Sequence, residues 1–281
     1  TLFPYTTLFR SAISEAMADM TDLKNRSPMS RLVQGDVGSG KTAVAAALCY
    51  SVIKNGVQAA LMAPTEILAQ QHYASISNIL KNTGISVGLL TGSVTPAKKR
   101  KLIEQLQDGS IQMVIGTHAL ISETVAFKNL GLVITDEQHR FGVAQRSLLA
   151  EKGNHPHMLV MSATPIPRTL ALIIYGDLDI SVLDELPPGR QTIETYAISS
   201  RKRARALQYI RTHLDAGQQA YIICPLVEES TNDMASVVRY ANALQTETFP
   251  DKVIGILHGK MKPKEKDTVM TAFANGKIDV L

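Results

Sequence analysis

Gly35-Asp36-Val37-Gly38-Ser39-Gly40-Lys41-Thr42 fits the pattern G-x-x-x-x-G-K-[ST] at every specified position. Glycines at this spacing let the backbone turn so that successive N–H groups point inward and hold phosphate oxygens. Lys41 can reach the β- and γ-phosphates of a nucleotide, and Thr42 can offer its hydroxyl to Mg²⁺. Arg31-Leu32-Val33-Gln34 reads as a short strand before the loop, and Ala43 to Ile53 as a helix after it. Such a helix aims the positive end of its dipole at the phosphates. A plain glycine turn between strand and helix is the bland alternative, and the strand–loop–helix context weighs against it.

A phosphate loop alone does not specify a reaction. The complement it needs is an acid after a hydrophobic strand, and Leu132-Val133-Ile134-Thr135-Asp136-Glu137 supplies one. A carboxylate at a strand end can hold Mg²⁺ through water, and its neighbour can polarise an attacking water. Asp136 suits the metal role and Glu137 the base role. Paired acids in a surface turn are common, so it is the upstream loop that gives this pair meaning. Ser162-Ala163-Thr164 follows the next apolar run. Small hydroxyl residues there can bond the acidic cluster and link its state to a second domain. They can equally cap a helix, since Pro165 and Pro167 follow. The residues themselves leave both readings open.

These residues need a scaffold. Strands are expected at Ala59 to Met62, Val87 to Leu90, Met113 to Ile115, Leu132 to Thr135 and Met158 to Met161. Helices such as Ile67 to Leu80 and Ala97 to Gln107 lie between them. The alternation implies a parallel sheet with helices on both faces, and ligands in such sheets bind beyond the carboxyl ends of the strands. Leu186-Pro187-Pro188-Gly189-Arg190 interrupts the pattern. It then restarts with a strand at Glu194 to Ile198, a helix over Arg201 to Leu214 and a strand at Ala220 to Cys224. A helix near Ala235 to Leu244, a strand at Val253 to Leu257 and a helix at Lys264 to Ala274 complete it. Two α/β units with one phosphate loop suggest a nucleotide held at a domain interface.

Bulk properties fit this reading. At 281 residues and 45% hydrophobic content, the chain can build one large or two medium domains. A net charge of +4 is mildly basic. Basic residues cluster at Lys98–Lys101, at Arg201, Lys202, Arg203 and Arg205, and alternately from Lys260 to Lys266. Each run serves as a solvated face or as a phosphate contact. Cys49 and Cys224 form no CxxC pair and suit reduced thiols in a cytoplasmic protein. His155 and His157 flank a proline without a further ligand cluster in the sequence, which argues against a metal there. No apolar run reaches the ~18 residues that span a bilayer. The chain opens at Thr1 and closes inside an apolar run at Leu281, so it reads as a fragment. Residues 1–11 resemble translated sequencing-adaptor sequence and read as a non-native leader.

Six segments occur in one order: Gly35 to Thr42, Ala63-Pro64-Thr65-Glu66, Leu90-Thr91-Gly92-Ser93, Gly116-Thr117-His118, Asp136-Glu137-Gln138-His139-Arg140-Phe141-Gly142, and Ser162-Ala163-Thr164-Pro165-Ile166-Pro167-Arg168-Thr169. Together they resemble the motor of superfamily 2 DNA helicases, and most closely the RecG family of branch-migration helicases. The resemblance runs from about Ala12 to Leu281. It implies two RecA-like P-loop units with parallel sheets flanked by helices. The first covers 12–188 and the second, truncated, covers 189–281. It implies ATP and Mg²⁺ as cofactors, branched duplex DNA as partner, and a bacterial cytoplasmic protein working at the nucleoid. Gln138 and His139 would relay the γ-phosphate state toward Ser162 and Thr164. Pro64, Thr65, Gly92, Ser93, Thr117 and His118 would lie along a DNA strand. Leu257-His258-Gly259 resembles the loop that grips the same strand from the second unit. Small residues and backbone amides suit such contacts, which read no sequence.

The transcription-repair coupling translocases are the nearest alternative. They usually carry a second Glu where Gln138 stands, and tend to lack the Pro187–Arg190 segment. A small-molecule kinase needs an acceptor pocket and lid that the sequence does not offer. A non-catalytic nucleic-acid-binding module remains the contrasting class. Oligomeric state is left open. In the family, a glutamine-containing segment upstream of the phosphate loop helps recognise adenine, and here the leader occupies that region. The family's γ-phosphate-reaching arginines would fall beyond Leu281, and such arginines are worth ~10³–10⁵ in rate. The expectation is that this polypeptide binds nucleotide weakly and hydrolyses it very slowly. DNA-stimulated turnover near that of a full-length motor would refute it.

Overall fold

Apolar runs without polar alternation are what strands covered on both faces require. Such runs become strands in the computed structural model of the chain, which describes residues 6–22, 27–136, 148–164, 178–184, 193–224 and 231–281. Glu137, Gln138 and His139, the 140–142 extension, 165–169 and 186–190 lie outside the described residues. The chain divides into two units, Thr1–Gln191 and Thr192–Leu281.

In the first unit, the described strands are β1 (Ser30–Gly35), β2 (Gln58–Met62), β3 (Val87–Leu90), β4 (Met113–Gly116), β5 (Leu130–Asp136), β6 (His157–Ser162) and β7 (Asp179–Leu183). They form a sheet in the order β3-β4-β2-β5-β6-β1-β7. Every one of these pairings is parallel. Helices α1 (Thr6–Thr21), α2 (Lys41–Lys54), α3 (Glu66–Ile79) and α4 (Pro96–Asp108) cover its faces. Alternate residues divide between two cores. Leu61, Ile115, Ile134 and Leu159 meet Ala16, Leu48 and Ile76 from α1, α2 and α3. On the opposite face, Met62, Val114 and Val133 meet Leu106 of α4. α2 touches both α1 and α3 and buries Val44, Ala45, Ala46, Leu48, Cys49, Val52 and Ile53. Its alanines let neighbouring backbones approach closely.

The expected strands and helices of this unit all form, most of them longer by a residue or two at an end. Among the described residues, the 3-10 turn at His118–Ile121, β7 and α1 were not expected. In β7 the polar Asp179 and Ser181 break up the apolar run of Ile180, Val182 and Leu183. α1 begins at Thr6 and so continues through residues assigned to a leader. Arg31 ties it to the sheet. Its guanidinium lies 3.0 Å from Glu15, 2.7 Å from Asp19 and 2.8 Å from the Ser181 hydroxyl. Four polar partners around one nearly buried arginine include the more distant Asp179 at 4.0 Å.

The second unit contains α5 (Arg203–Asp215), α6 (Thr231–Ala243) and α7 (Pro263–Ala274), with one π-helical stretch at Leu244–Thr248. Leu214, Leu244, Phe249 and Val280 form its core. The strands expected at Ala220–Cys224 and Val253–Leu257 reduce to single parallel bridges, Ala220 to Val280 and Ile254 to Val280. The segment between them bonds both: Ala220 N–H donates to Asp279, Leu281 N–H to Ala220 and Ile222 N–H to Leu281 on one side, and Asp279 and Val280 N–H to Val253 and Gly255 N–H to Val280 on the other. The strand expected at Glu194 to Ile198 does not form. Ile193, Tyr196 and Ile198 are exposed, and the apolar alternation there has no described strand to pair with.

Cys49 is fully buried on α2, and burial pushes its thiol from the usual 9.0 up to about 12. Cys224 is only half-buried. A folded-state pKa above the unfolded one means that unfolding releases a proton at alkaline pH, so stability falls as pH rises from about 9 toward 12. At pH 8 an alkylating reagent is therefore expected to modify Cys224 readily and Cys49 only after denaturation. Equal native rates for the two thiols would contradict this packing.

Candidate nucleotide and nucleic-acid site

A sheet whose strands all run the same way delivers every strand's carboxyl end to one edge. The strand order then sorts the candidate residues along that edge. β1, β6 and β5 are neighbours, and they end at the Gly35–Thr42 loop, at Ser162 and at Asp136. β2, β4 and β3 are also contiguous, and after them come Pro64 and Thr65, Thr117 and His118, and Gly92 and Ser93. Registers keep these ends level. Gln34 pairs with Ser162, Asp136 with Met161, Met62 with Thr135 and with Gly116, and Leu90 with Gly116. β5 and β1 are separated by β6 alone, so their axes lie about 10 Å apart.

The phosphate loop is wound tightly. Gly38 and Gly40 adopt left-handed φ of 81° and 95°. Gly40 caps α2 without a side-chain hydrogen bond, and the first turn carries no acidic residue. The first turn of this 14-residue helix therefore opens on the loop without an acidic residue of its own. Lys41 Nζ donates to the carbonyls of Gly35 at 2.6 Å and Asp36 at 2.8 Å. That folds the ammonium across the loop's mouth. Ser39 Oγ is buried without a hydrogen-bond partner among the described residues. The Phe9 ring of α1 lies where a Gly40 side chain would project, so the segment upstream stands directly against the loop.

Asp136 ends β5 with its side chain only 10% exposed and accepts a 2.5 Å hydrogen bond from His72 Nε2 of α3. Sequence reasoning gave His72 no role. The one available signal was its place in the second turn of the helix that follows Pro64–Thr65. Glu137, Gln138 and His139 lie outside the described residues. Ser162 and Thr164 bond each other: their hydroxyls are 3.0 Å apart, and Thr164 N–H donates to Ser162 Oγ at 3.2 Å. This closes a local turn of the kind expected of a cap.

Among the backbone-contact candidates, Thr65 caps α3 by accepting from Leu68 N–H at 3.3 Å. Glu66 accepts from Ser93 N–H at 3.0 Å, joining the 64–66 and 91–93 turns. Gly92, Ser93 and His118 are exposed. Thr117 turns its hydroxyl inward, where it finds no partner. His258 lines a 280 Å³ cavity of the second unit with its Nδ1 buried, and neighbouring Gly259 is exposed. Lys98, Arg100 and Lys101 point to solvent from α4, as do Arg201 to Arg205 around the start of α5.

The donor set fits a magnesium nucleotide. Hydroxyl and carboxylate oxygens are the hard ligands Mg²⁺ takes, and Thr42 and Asp136 supply them. The unpartnered Ser39 hydroxyl and the uncapped helix start supply donors to phosphate. Gly35 must stay bare: a Cβ there would meet Ser39 Oγ at 2.5 Å and the Leu183 Cβ and carbonyl at 2.8 and 3.0 Å. Gly35→Ala is expected to destabilise the first unit by about 1–3 kcal/mol and to weaken nucleotide binding. Thermal unfolding indistinguishable from wild type would contradict the tight fit.

The DEAD/DEAH box helicase family matches residues 10–173. The chain is 52% identical over 258 residues to the ATP-dependent DNA helicase RecG of Aquifex aeolicus (strain VF5), covering 90% of this chain and 32% of that protein. With RecG of Bacillus subtilis (strain 168) it shares 48% identity over 281 residues, covering 99% of this chain and 41% of the relative. It thus spans 32% and 41% of these two relatives' length. A solved structure of RecG bound to a three-way DNA junction superposes with a TM-score of 0.78 at 43% identity, covering 100% of this chain and 36% of that one. An RNA-bound Dbp5 structure from S. cerevisiae, at 18% identity and TM-score 0.65 over 96% of this chain and 68% of its own, shares the fold. The motif order, the parallel sheet and the match over residues 10–173 agree: the chain belongs to the DEAD/DEAH box helicase family.

Proposed function

We propose that this chain is the nucleotide-driven motor segment of a RecG-type DNA helicase acting on branched duplex DNA, in fork regression and branch migration during recombination and repair. The observation that carries the reading is the sorting of one sheet edge. Phosphate-loop and acidic residues occupy the β1-β6-β5 half, and small strand-end residues occupy the β2-β4-β3 half. Similarity to RecG proteins across most of the chain supports it over the coupling translocase.

Gly35 to Thr42 would wrap the β- and γ-phosphates with backbone N–H groups, and Lys41 would exchange its two loop carbonyls for phosphate oxygens. Thr42 and Asp136 would hold Mg²⁺, which when bound neutralises charge developing on the phosphates. Glu137 would orient and deprotonate the attacking water, with Gln138 and His139 passing the outcome to Ser162 and Thr164. Pro64, Thr65, Gly92, Ser93, Thr117 and His118, with His258 and Gly259 of the second unit, would follow a phosphodiester backbone. For Thr117 the contact falls to the backbone, since its hydroxyl is buried. The protein would work in the bacterial cytoplasm, at the nucleoid.

Binding of a fluorescent ADP analogue with Mg²⁺, and of a three-way DNA junction, tests the reading on wild type and Lys41→Ala. Lys41→Ala is expected to lose at least about tenfold in nucleotide affinity, as removal of a charged hydrogen-bonding partner predicts. It should keep its junction affinity. Equal nucleotide binding by the two proteins, or junction binding indifferent to nucleotide in wild type, would favour the non-catalytic binding module.

A further inference from the structure

Asp136 and His72 raise a question that the loop does not. β2 lies beside β5, and α3 starts four residues after β2 ends. The second turn of α3 therefore passes over the end of β5. From there His72 reaches Asp136, Nε2 to Oδ2 at 2.5 Å, with the two side chains only 12% and 10% exposed. An imidazole N–H at Nε2 is the donor that a carboxylate oxygen accepts. A buried carboxylate held by one donor at one oxygen has its rotation about χ2 restricted, and its second oxygen is turned to a defined direction.

We infer that His72 is the positioning residue of the metal-binding carboxylate: it grips Asp136 Oδ2 so that Oδ1 is presented to Mg²⁺ or to a water of its shell. This rests on the proposed Mg-nucleotide site and deepens it. Histidine–carboxylate pairs behind a metal orient the ligand, and their loss typically costs 10–100-fold in metal affinity. The competing role is purely structural, a polar clamp between α3 and β5. Ala69 and Ile76 on the same helix already bury an apolar stripe against the sheet. The helix therefore has its anchor without His72, and what His72 adds is contact with one carboxylate.

The test is a Mg²⁺ titration of the binding of a fluorescent ADP analogue, paired with nucleotide affinity in EDTA and with the unfolding midpoint in EDTA. For His72→Ala the half-saturating Mg²⁺ concentration is expected to rise about tenfold or more, while affinity in EDTA is unchanged. His72→Gln, whose amide can still donate to Asp136, should recover most of the loss. His72→Asn, polar but too short to reach, should behave like alanine and serves if the alanine variant folds poorly. An unchanged half-saturating Mg²⁺ in His72→Ala or His72→Asn overturns the inference, whatever the unfolding midpoint does. Wild-type binding that ignores Mg²⁺ overturns the metal site itself, and the inference with it.

Discussion

Parallel pairing of β1 with β6 and of β6 with β5 is the constraint on which the rest of the structure depends. Parallel strands require crossover helices, and crossovers return the chain to the same starting edge each time. The ends of seven described strands therefore meet on one edge, although the residues there are spread from Gly35 to Leu183 in sequence. Without that geometry the phosphate loop and Asp136 would be two unrelated turns. With it, they are two strand positions apart, and Asp136 stands level with Val33, two residues before the loop opens.

Within that frame the loop is organised around what is missing as much as what is present. Gly40 has a left-handed φ and no room for a side chain because the Phe9 ring stands there. Gly35 is pressed between Ser39 and Leu183. The helix that follows starts at Gly40 without a side-chain cap and carries no acidic residue in its first turn. Lys41 is held by two carbonyls of its own loop, a mooring that a phosphate group can displace because its oxygens carry full charge. The acidic side is organised by its neighbour α3, through His72.

Much of the first unit was legible in the sequence because strands buried on both faces leave unbroken apolar runs, as in Leu132 to Thr135. β7 was not, since it is an edge strand whose apolar run is interrupted by Asp179 and Ser181. α1 was hidden by an opening that reads as foreign, although Arg31 binds its Glu15 and Asp19 from the sheet. His72 was invisible because its role is tertiary: nothing in Gln70-Gln71-His72-Tyr73 announces a partner 64 positions away. In the second unit, apolar segments at Ala220–Cys224 and Val253–Leu257 have strand composition, yet each pairs with Val280 through a single parallel bridge. Their composition reports neither pairing nor burial, since Tyr221, Ile223, Val253 and Leu257 are exposed.

The central claim is that a divalent cation and a nucleotide sit between Thr42 and Asp136, beside Lys41. A crystal structure of the chain with Mn²⁺ and a non-hydrolysable ATP analogue tests it most directly, because the anomalous signal locates the metal independently of the refined protein. The account predicts Mn²⁺ about 2.2 Å from Thr42 Oγ1, joined to Asp136 directly or through one water, with phosphate oxygens on the amides of residues 38 to 42. An anomalous peak away from that strand edge, or a nucleotide bound with its phosphates off the loop, would contradict it.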